Sequence, residues 1–572
     1  MYVSIQGLLI GLGHAPPEKG KIAAFFTLRL TTDPAMLRLS DIRLPLDHAP
    51  EALPEAIIAR LQIAPEALRG FTVARRGFDA RKRSAILLVY SLDVEVTDEA
   101  SLLQRFSNDS HIKPTPDTEY KFVAHAAADL TSRPVIIGTG PCGFMAGLIL
   151  AQMGFKPIIL ERGAEVRQRT KDTWGLWRNH KLNPESNVQF GEGGAGTFSD
   201  GKLHTQIKDP RHLGVKVLRE FVKAGAPEEI LYISKPHVGT FRLVGMLEKI
   251  REQIISLGGE FHFESRVTDI EIDNGQVRGV VLASGERIAT THVVLAIGHS
   301  ARDTFRMLYE RGVYVEAKPF SIGFRIEHPQ ALIDQCRYGN FAGHPDLGAA
   351  DYKLVHHCKN GRSVYSFCMC PGGTVVAATS EEGCVVTNGM SQYSRNERNA
   401  NSGIVVGISP EDFPSDHPLA GIDLQRDLES RAFVLGGSNY AAPGQLVGDF
   451  LKGQASTALG SVQPSYTPGV HLTDLSTVLP DYAIEAIREA LPAFERQLKG
   501  FAMHDAVLTG VETRTSSPLR IKRNRDDYQS INTKGLYPAG EGAGYAGGIL
   551  SAAVDGIEVA EAVALSMVNS GQ

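Results

Sequence analysis

Residues 134–163 read PVIIGTGPCGFMAGLILAQMGFKPIILERG. A short apolar run of strand character enters a glycine-rich turn, a helix-like run leaves it, and a second strand-like run follows. Gly138, Gly140 and Gly143 carry the GxGxxG spacing. In such a turn the first glycine makes the bend and the second lets backbone approach a pyrophosphate. The third seats helix on strand, and the helix N-terminus, here Pro141 and Cys142, faces the phosphates. Glu161 closes the second strand 18 residues after Gly143, with Arg162 next to it. An acidic side chain there accepts hydrogen bonds from the ribose of an adenosine half; the plainer alternative is an exposed glutamate at a strand end. The stretch predicts a dinucleotide site, and by itself does not separate NAD from FAD.

The chain has 572 residues, enough for about two to four domains. A net charge of −5 produces no global field favouring nucleic acid or anionic membrane. Six scattered cysteines show no paired CxxC spacing, so neither a disulfide framework nor a zinc ribbon is indicated, no metal is expected, and a reducing cytoplasm fits. The start, MYVSIQGLLIGLGH, lacks the basic opening and small-residue exit of a signal peptide and reads as an opening strand. The most membrane-like window is the opening stretch itself, and its glycines and prolines explain it as strand, turn and helix.

Residues 1–106 alternate as a small α+β domain, and residues 107–133, polar and proline-bearing, read as a linker or covering arm. Residues 261–298 form short β-rich runs joined by Asp273-Asn274-Gly275 and Ser284-Gly285, the turns of a meander in which Val267 is expected to touch the cofactor. Residues 310–500 are richer in loops and read as a substrate-facing domain. From about Phe501 the chain returns to a glycine-rich motif and a closing helix.

That late segment, KGLYPAGEGAGYAGGILSAAVDGIEVAEAV (residues 534–563), is a second strand, turn and helix with bare amides and a helix N-terminus. Here the chain resembles the FAD-dependent oxidoreductases of the glutathione-reductase-like superfamily. The resemblance implies that Gly540, Glu541, Gly547, Gly548 and Ile549 return to hold the ribitol, pyrophosphate and flavin edge. The superfamily usually has Gly-Asp where this chain has Gly540-Glu541. VVLAIG (residues 293–298) looks like its strand leading to an A-T-G-type turn, here Ala296-Ile297-Gly298. The longer stretches VARRGFDARKR, VQFGEGGAGTFSDGKL, FCMCPGG, NGMSQYSRNERNANSGIVV and GVETRTSSPLRI are similar to those of a group described only as uncharacterised FAD-dependent dehydrogenases, over nearly the whole chain. The implied fold is α/β. A Rossmann-like FAD-binding domain of the glutathione-reductase-like type covers residues 134–309 and 501–572, with an inserted α+β substrate domain at 310–500 and the small N-terminal α+β domain. The implied cofactor is FAD.

For the chemistry, GEGGAGTFSDGK supplies amides (Gly193, Gly194, Gly196, Gly201), hydroxyls (Thr197, Ser199), the carboxylate of Asp200 and the cation of Lys202. Such donors near a flavin stabilise its reduced ring; a structural glycine turn is the plain alternative. Cys368 and Cys370 invite a redox-pair reading, yet two residues apart on a strand their separation is near the upper limit for a disulfide, and buried or substrate-lining thiols are the alternative. Glu512 and Arg514, also two apart, would share a face, Arg514 binding an anionic substrate group and Glu512 fixing its fork; a structural ion pair is the alternative. The basic run RRGFDARKR holds one aromatic and reads as a strand start rather than a nucleic-acid patch. No second GxGxxG appears in residues 206–330, so NAD(P)H, if it donates here, binds transiently or without that motif. The expected activity is hydride transfer between FAD and a small organic substrate. A flavin monooxygenase using NAD(P)H and a flavin-bearing RNA-binding scaffold are the competing readings.

Overall fold

The computed structural model describes residues 36–570; the expected opening strand lies outside them. The chain forms two units.

The first holds the described part of residues 1–74 together with residues 89–115. Strands Leu68–Asp79, Leu87–Val96, Leu37–Pro45 and Ile112–Pro114 lie in that order in one sheet, with helices Ala52–Leu61 and Glu99–Arg105. Alternation along Leu87–Val96 puts Leu88, Tyr90, Leu92 and Val94 in the core, as the two-residue period of a strand requires. Because Ile112–Pro114 pairs with Leu37–Leu39, this domain runs past the boundary expected at residue 106, and the linker begins later than residue 107.

The second unit takes residues 75–88 and the described part of residues 116–572. The basic run sits mostly in its share of the hairpin. Arg76 N–H donates to the Tyr232 carbonyl at 2.7 Å, and Ser234 N–H donates back to the Arg76 carbonyl at 2.8 Å. Residues 116–133 cover the unit as an arm: Tyr120 Oη donates to Glu561 at 2.9 Å and Ala126 N–H to the Met153 carbonyl at 2.8 Å.

At its centre a parallel sheet runs Leu536–Pro538, Val293–Leu295, Val135–Ile137, Ile158–Leu160, Glu260–His262. Numbered along the chain and read from the Glu260–His262 edge, that is the order 3-2-1-4-5, with the strand of the glycine turn in the middle. The inner strands read VII, IIL and VVL because the sheet is covered on both faces. Helix Pro141–Gln152 is buried nearly all round and packs on the closing helix Ile549–Asn569. A Cβ on Gly556 would stand 2.2 Å from the Cys142 carbonyl oxygen, so the two helices touch backbone to backbone. The meander Val267–Asp273, Gln276–Leu282, Arg287–Ala289 is antiparallel, its first turn carried by Asn274 at φ 51° and Gly275 at φ 72°.

A seven-stranded sheet follows, in the order Val355–His357, Ser363–Cys370, Asn399–Ile408, Phe320–Pro329, Val507–Glu512, Ala442–Leu446, Val470–Leu472. Helix Asp481–Gln497 packs on it. The region expected to be richer in loops sets strands and helices between long loops, and Val507–Glu512, beyond it, is an interior strand of the same sheet. The boundary expected at residue 501 therefore falls inside this layer, which extends through Glu512. No described helix is long and apolar enough to cross a membrane.

Candidate functional site

The turn after Val135–Ile137 opens onto a cavity of about 460 Å³. Gly138 adopts φ 100°, and a Cβ there would meet the Ala296 carbonyl oxygen at 2.4 Å. A Cβ on Gly143 would lie 1.9 Å from the Gly138 carbonyl oxygen. Gly143 therefore seats helix on turn, as expected, and does not line the cavity. Gly138, Gly140, Pro141 and Cys142 do line it, joined by Gly547, Gly548 and Ile549 from the start of the closing helix. Two helix N-termini thus meet one cavity, an arrangement suited to a pyrophosphate.

Glu161 also lines the cavity, but its carboxylate already serves the loops. One oxygen accepts from Thr139 N–H at 3.0 Å and Thr139 Oγ1 at 2.6 Å; the other accepts from the amides of Gly163 and Gly191, both at 2.9 Å. Four donors fill a carboxylate's four lone-pair positions. A ribose hydroxyl at Glu161 competes with Thr139 Oγ1, the donor free to rotate away. Arg162 forms a wall rather than a free cation: it bonds Glu185 and Asp303 and lies 4.0 Å over the Phe190 ring. Val267, Ala296 and Gly298 line the cavity as well.

Gly540 approaches closely, a Cβ on it reaching Cys142 Cβ at 2.9 Å. Its N–H donates to Asp555 at 2.7 Å, and Asp555 is held by Arg523. Next to it Glu541 lines the cavity half-buried, and its carboxylate accepts no hydrogen bond among the described residues. Burial pushes its carboxyl up to about 7, with Lys318 pulling the other way.

The loop at residues 191–202 lies across the turn, its Gly194 so close that a Cβ would stand 2.8 Å from Gly140 Cα. Gly194, Gly196, Ser199, Asp200, Gly201 and Lys202 line the cavity. Gly193 and Thr197, expected to do so, do not: Thr197 Oγ1 faces inward and accepts from the buried Arg169 at 3.2 Å. Asp200 is spoken for by Arg395 and Ser391. Lys202 donates to the Met369 carbonyl and stands 3.9 Å from Asp200.

The proposed Glu512–Arg514 pair is not formed. The strand ends at Glu512, so the two-residue alternation that would align them ends too. Glu512 takes both prongs of the buried Arg325, at 2.9 and 2.6 Å, and lies off the cavity. Arg514 does line the cavity, yet its guanidinium bonds Glu429 at 3.1 and 3.0 Å, Ser300 at 3.0 Å and Ser380 at 2.7 Å. It is a structural cation with no donor fork left for a substrate. Cys368 and Cys370 are both free thiols, of which Cys368 lines the cavity.

Thr139, Phe190, His299 and Asn388 also line the cavity and escaped the sequence reading. His299 directly follows Gly298, a position that marked it; Asn388 lies far along the chain with no signal of its own. Burial, then Arg514 and Arg302, push the His299 imidazole down to about 3. Two side-chain trios stand close enough to share an ion: His356, Cys358 and Glu489, and Glu381, Cys384 and Glu429. In the second, Glu429 already bonds Arg302 and Arg514.

Residues 319–515 match the family of FAD-dependent proteins, C-terminal domain-like. Residues 233–348 match the FAD dependent oxidoreductases, and residues 36–95 a domain of unknown function. An uncharacterized protein of Clostridium beijerinckii is 50% identical over 526 residues, 92% of this chain and 98% of its own length. Among solved structures, the halogenase PltM shares 12% identity at a TM-score of 0.37, over 77% of this chain and 70% of that one. The FAD-complexed glycerol-3-phosphate dehydrogenase of Bacillus halodurans shares 13% at 0.34, over 77% and 66%. Both likenesses are too distant to bear on the chemistry. The glycine cradle that any Cβ would fill, the paired helix N-termini and the Glu541 carboxylate, which accepts no hydrogen bond among the described residues, suit a flavin dinucleotide. The chain belongs to the FAD-dependent oxidoreductase family, and FAD is its cofactor.

Proposed function

We propose that this protein is a dehydrogenase or reductase acting on a small organic substrate, on a Rossmann-like scaffold of the glutathione-reductase-like type. The strand order 3-2-1-4-5 with the glycine turn on the central strand supports the scaffold. One observation carries the activity. The cavity that begins at the glycine turn continues to a wall of Phe367 and Cys368 from the seven-stranded sheet and Asn388 from a separate hairpin, Thr374–Ala377 with Thr387–Met390, so cofactor and substrate share one enclosure. Bound FAD supplies two-electron, hydride-accepting chemistry.

The chain's own part is to bind, orient and manage protons. The Gly138–Cys142 turn and the Ile549–Asn569 helix hold the diphosphate. The neutral His299 accepts or donates one hydrogen bond without bringing charge into the enclosure. Glu541, with its carboxyl near neutrality, holds a proton that a hydroxyl-bearing chain can exchange for a hydrogen bond. NAD(P)H in this reading is a transient donor, nucleic acid and metal play no part, and the six free cysteines suit a reducing cytoplasm.

The test is a metabolite screen read by anaerobic bleaching of the bound flavin. A compound that bleaches it without oxygen supports the reading. Steady oxygen consumption driven by NAD(P)H, with no anaerobic donor found, would turn it into a monooxygenase.

A further inference from the structure

Two thiols and two cations cluster at one wall of the cavity, which Cys368 and Lys202 line, with Cys370 and Arg325 buried off it. Strand Ser363–Cys370 pairs with Asn399–Ile408 up to Phe367 opposite Gly403 and again at Cys370 opposite Asn401. One extra residue is thus fitted into the stretch, a bulge of the kind that re-aims a side chain. Cys368 stands in it at φ 42°, a left-handed conformation that a side-chain-bearing residue keeps only when its surroundings impose it. They do so from several sides. Its carbonyl accepts from Arg325 Nη1 at 3.1 Å and from Cys370 Sγ at 3.3 Å. Gly389 leaves room behind, since a Cβ there would lie 2.2 Å from Arg325 Nη1 and 2.8 Å from Cys370 Sγ. Lys202 grips the next carbonyl, that of Met369. The outcome is that Cys368 lines the cavity and Cys370 is buried.

The charges favour an anion at Cys368. The Cys370 thiol beside it, then Lys202 and Arg325, hold its thiol below the usual range against burial and the carboxylate of Glu512; Cys370 is pushed the other way. A recognition partner lines the same cavity. Asn388 accepts the Gly389 N–H at 2.8 Å through its side-chain oxygen, and its amide N–H groups make no bond among the described residues.

We infer that Cys368 is a nucleophilic site of the cavity, for small molecules that carry an alkene conjugated to a carbonyl, whose oxygen Asn388 receives. The Cys368 sulfur forms a bond to the β carbon, the alkene electron pair shifts to the α carbon, and that carbon takes a proton from water. Nothing is oxidised or reduced and no group leaves. The inference rests on the cavity and the thiol cluster, not on hydride transfer.

The experiment uses the full-length, FAD-loaded protein and N-ethylmaleimide at one equivalent, with labelled residues located by mass spectrometry between pH 5 and 9. Cys368 should react first, ahead of the half-buried Cys336, with a midpoint well below the ordinary cysteine value of about 8.5. Lys202→Met should raise that midpoint and slow labelling at pH 7 by about fivefold or more; Cys370→Ser, read the same way, serves if Lys202→Met does not fold. Cys368→Ser should lose the label while the absorbance of bound FAD shows an intact fold. Cys336 reacting first, or a Cys368 midpoint at or above about 8.5, would overturn the inference. Labelling needs no turnover, so a failed metabolite screen and a failed labelling are separate results.

Discussion

Arg514 and Glu429 face each other across two hydrogen bonds of 3.1 and 3.0 Å, and Arg302 grips the same carboxylate with bonds of 3.0 and 2.8 Å. Burial raises the Glu429 carboxyl, but the two guanidiniums outweigh it and hold it down to about 2. Arg514→Lys retains the charge and loses the planar fork. We expect it to lower thermal stability, by about 1–3 kcal/mol for the donor groups lost, with turnover per bound flavin unchanged. Glu429→Gln, which leaves the buried Arg514 without its carboxylate and Arg302 with Glu381 alone, should cost about 3–5 kcal/mol. Melting followed by flavin fluorescence reads both. An Arg514→Lys protein that melts normally but turns over at least about tenfold more slowly, on the order of 1.4 kcal/mol, would return Arg514 to the substrate.

Glu161→Ala should do more than weaken FAD binding. Its carboxylate receives three backbone amides and one hydroxyl from the turns around the cavity. Each buried donor left without a partner costs about 1–3 kcal/mol. The expected result is a lower melting temperature even before FAD is added, measured on protein stripped of flavin. Loss of FAD affinity with unchanged stability would restore the simple ribose role.

Gly143→Ala and Gly138→Ala should each expel FAD, because their Cβ atoms would meet backbone carbonyl oxygens at 1.9 and 2.4 Å. The absorbance ratio of flavin to protein after gel filtration measures this. Gly245 lies inside helix Thr240–Ser256 with nothing within 4 Å of an added Cβ. Gly245→Ala should leave FAD in place and stabilise by about 0.5–1 kcal/mol. Retained FAD in Gly143→Ala would contradict the assignment of the turn.

Acid should weaken the fold through buried neutral histidines. Burial pushes His292 and His328 down to about 4 and His299 to about 3, from an ordinary value of 6.5. Below pH 6.5 the unfolded chain takes up protons that the folded chain refuses. Stability is therefore fully present above 6.5 and falls between 6.5 and about 4, by up to ~1.4 kcal/mol per pH unit per histidine. His328→Gln keeps a donor for the Phe501 carbonyl, which His328 Nε2 meets at 2.7 Å, and should flatten the decline of the urea midpoint over that range. An unchanged slope would place the acid sensitivity elsewhere.

What local chemistry decides was readable in the chain itself. A strand-turn-helix with GxGxxG spacing works through backbone conformation and helix ends, so residues 134–163 announced the dinucleotide turn, and residues 534–563 its return. Gly138, Gly140, Cys142, Glu541 and Gly548 all line the cavity. Domain edges were less legible, because Ile112–Pro114 and Val507–Glu512 join their sheets through partners remote in sequence. Charge pairing was decided by the tertiary structure. Glu512 and Arg514 are neighbours on the chain, yet each found its partner on another element, Arg325 and Glu429, because a buried charge must be neutralised by whatever the packing brings within hydrogen-bonding reach. The same holds for Cys368. Its presence is a matter of sequence; the bulge, the clamp from Arg325 and the approach of Lys202 that turn it toward the cavity come from three segments that only the folded chain brings together.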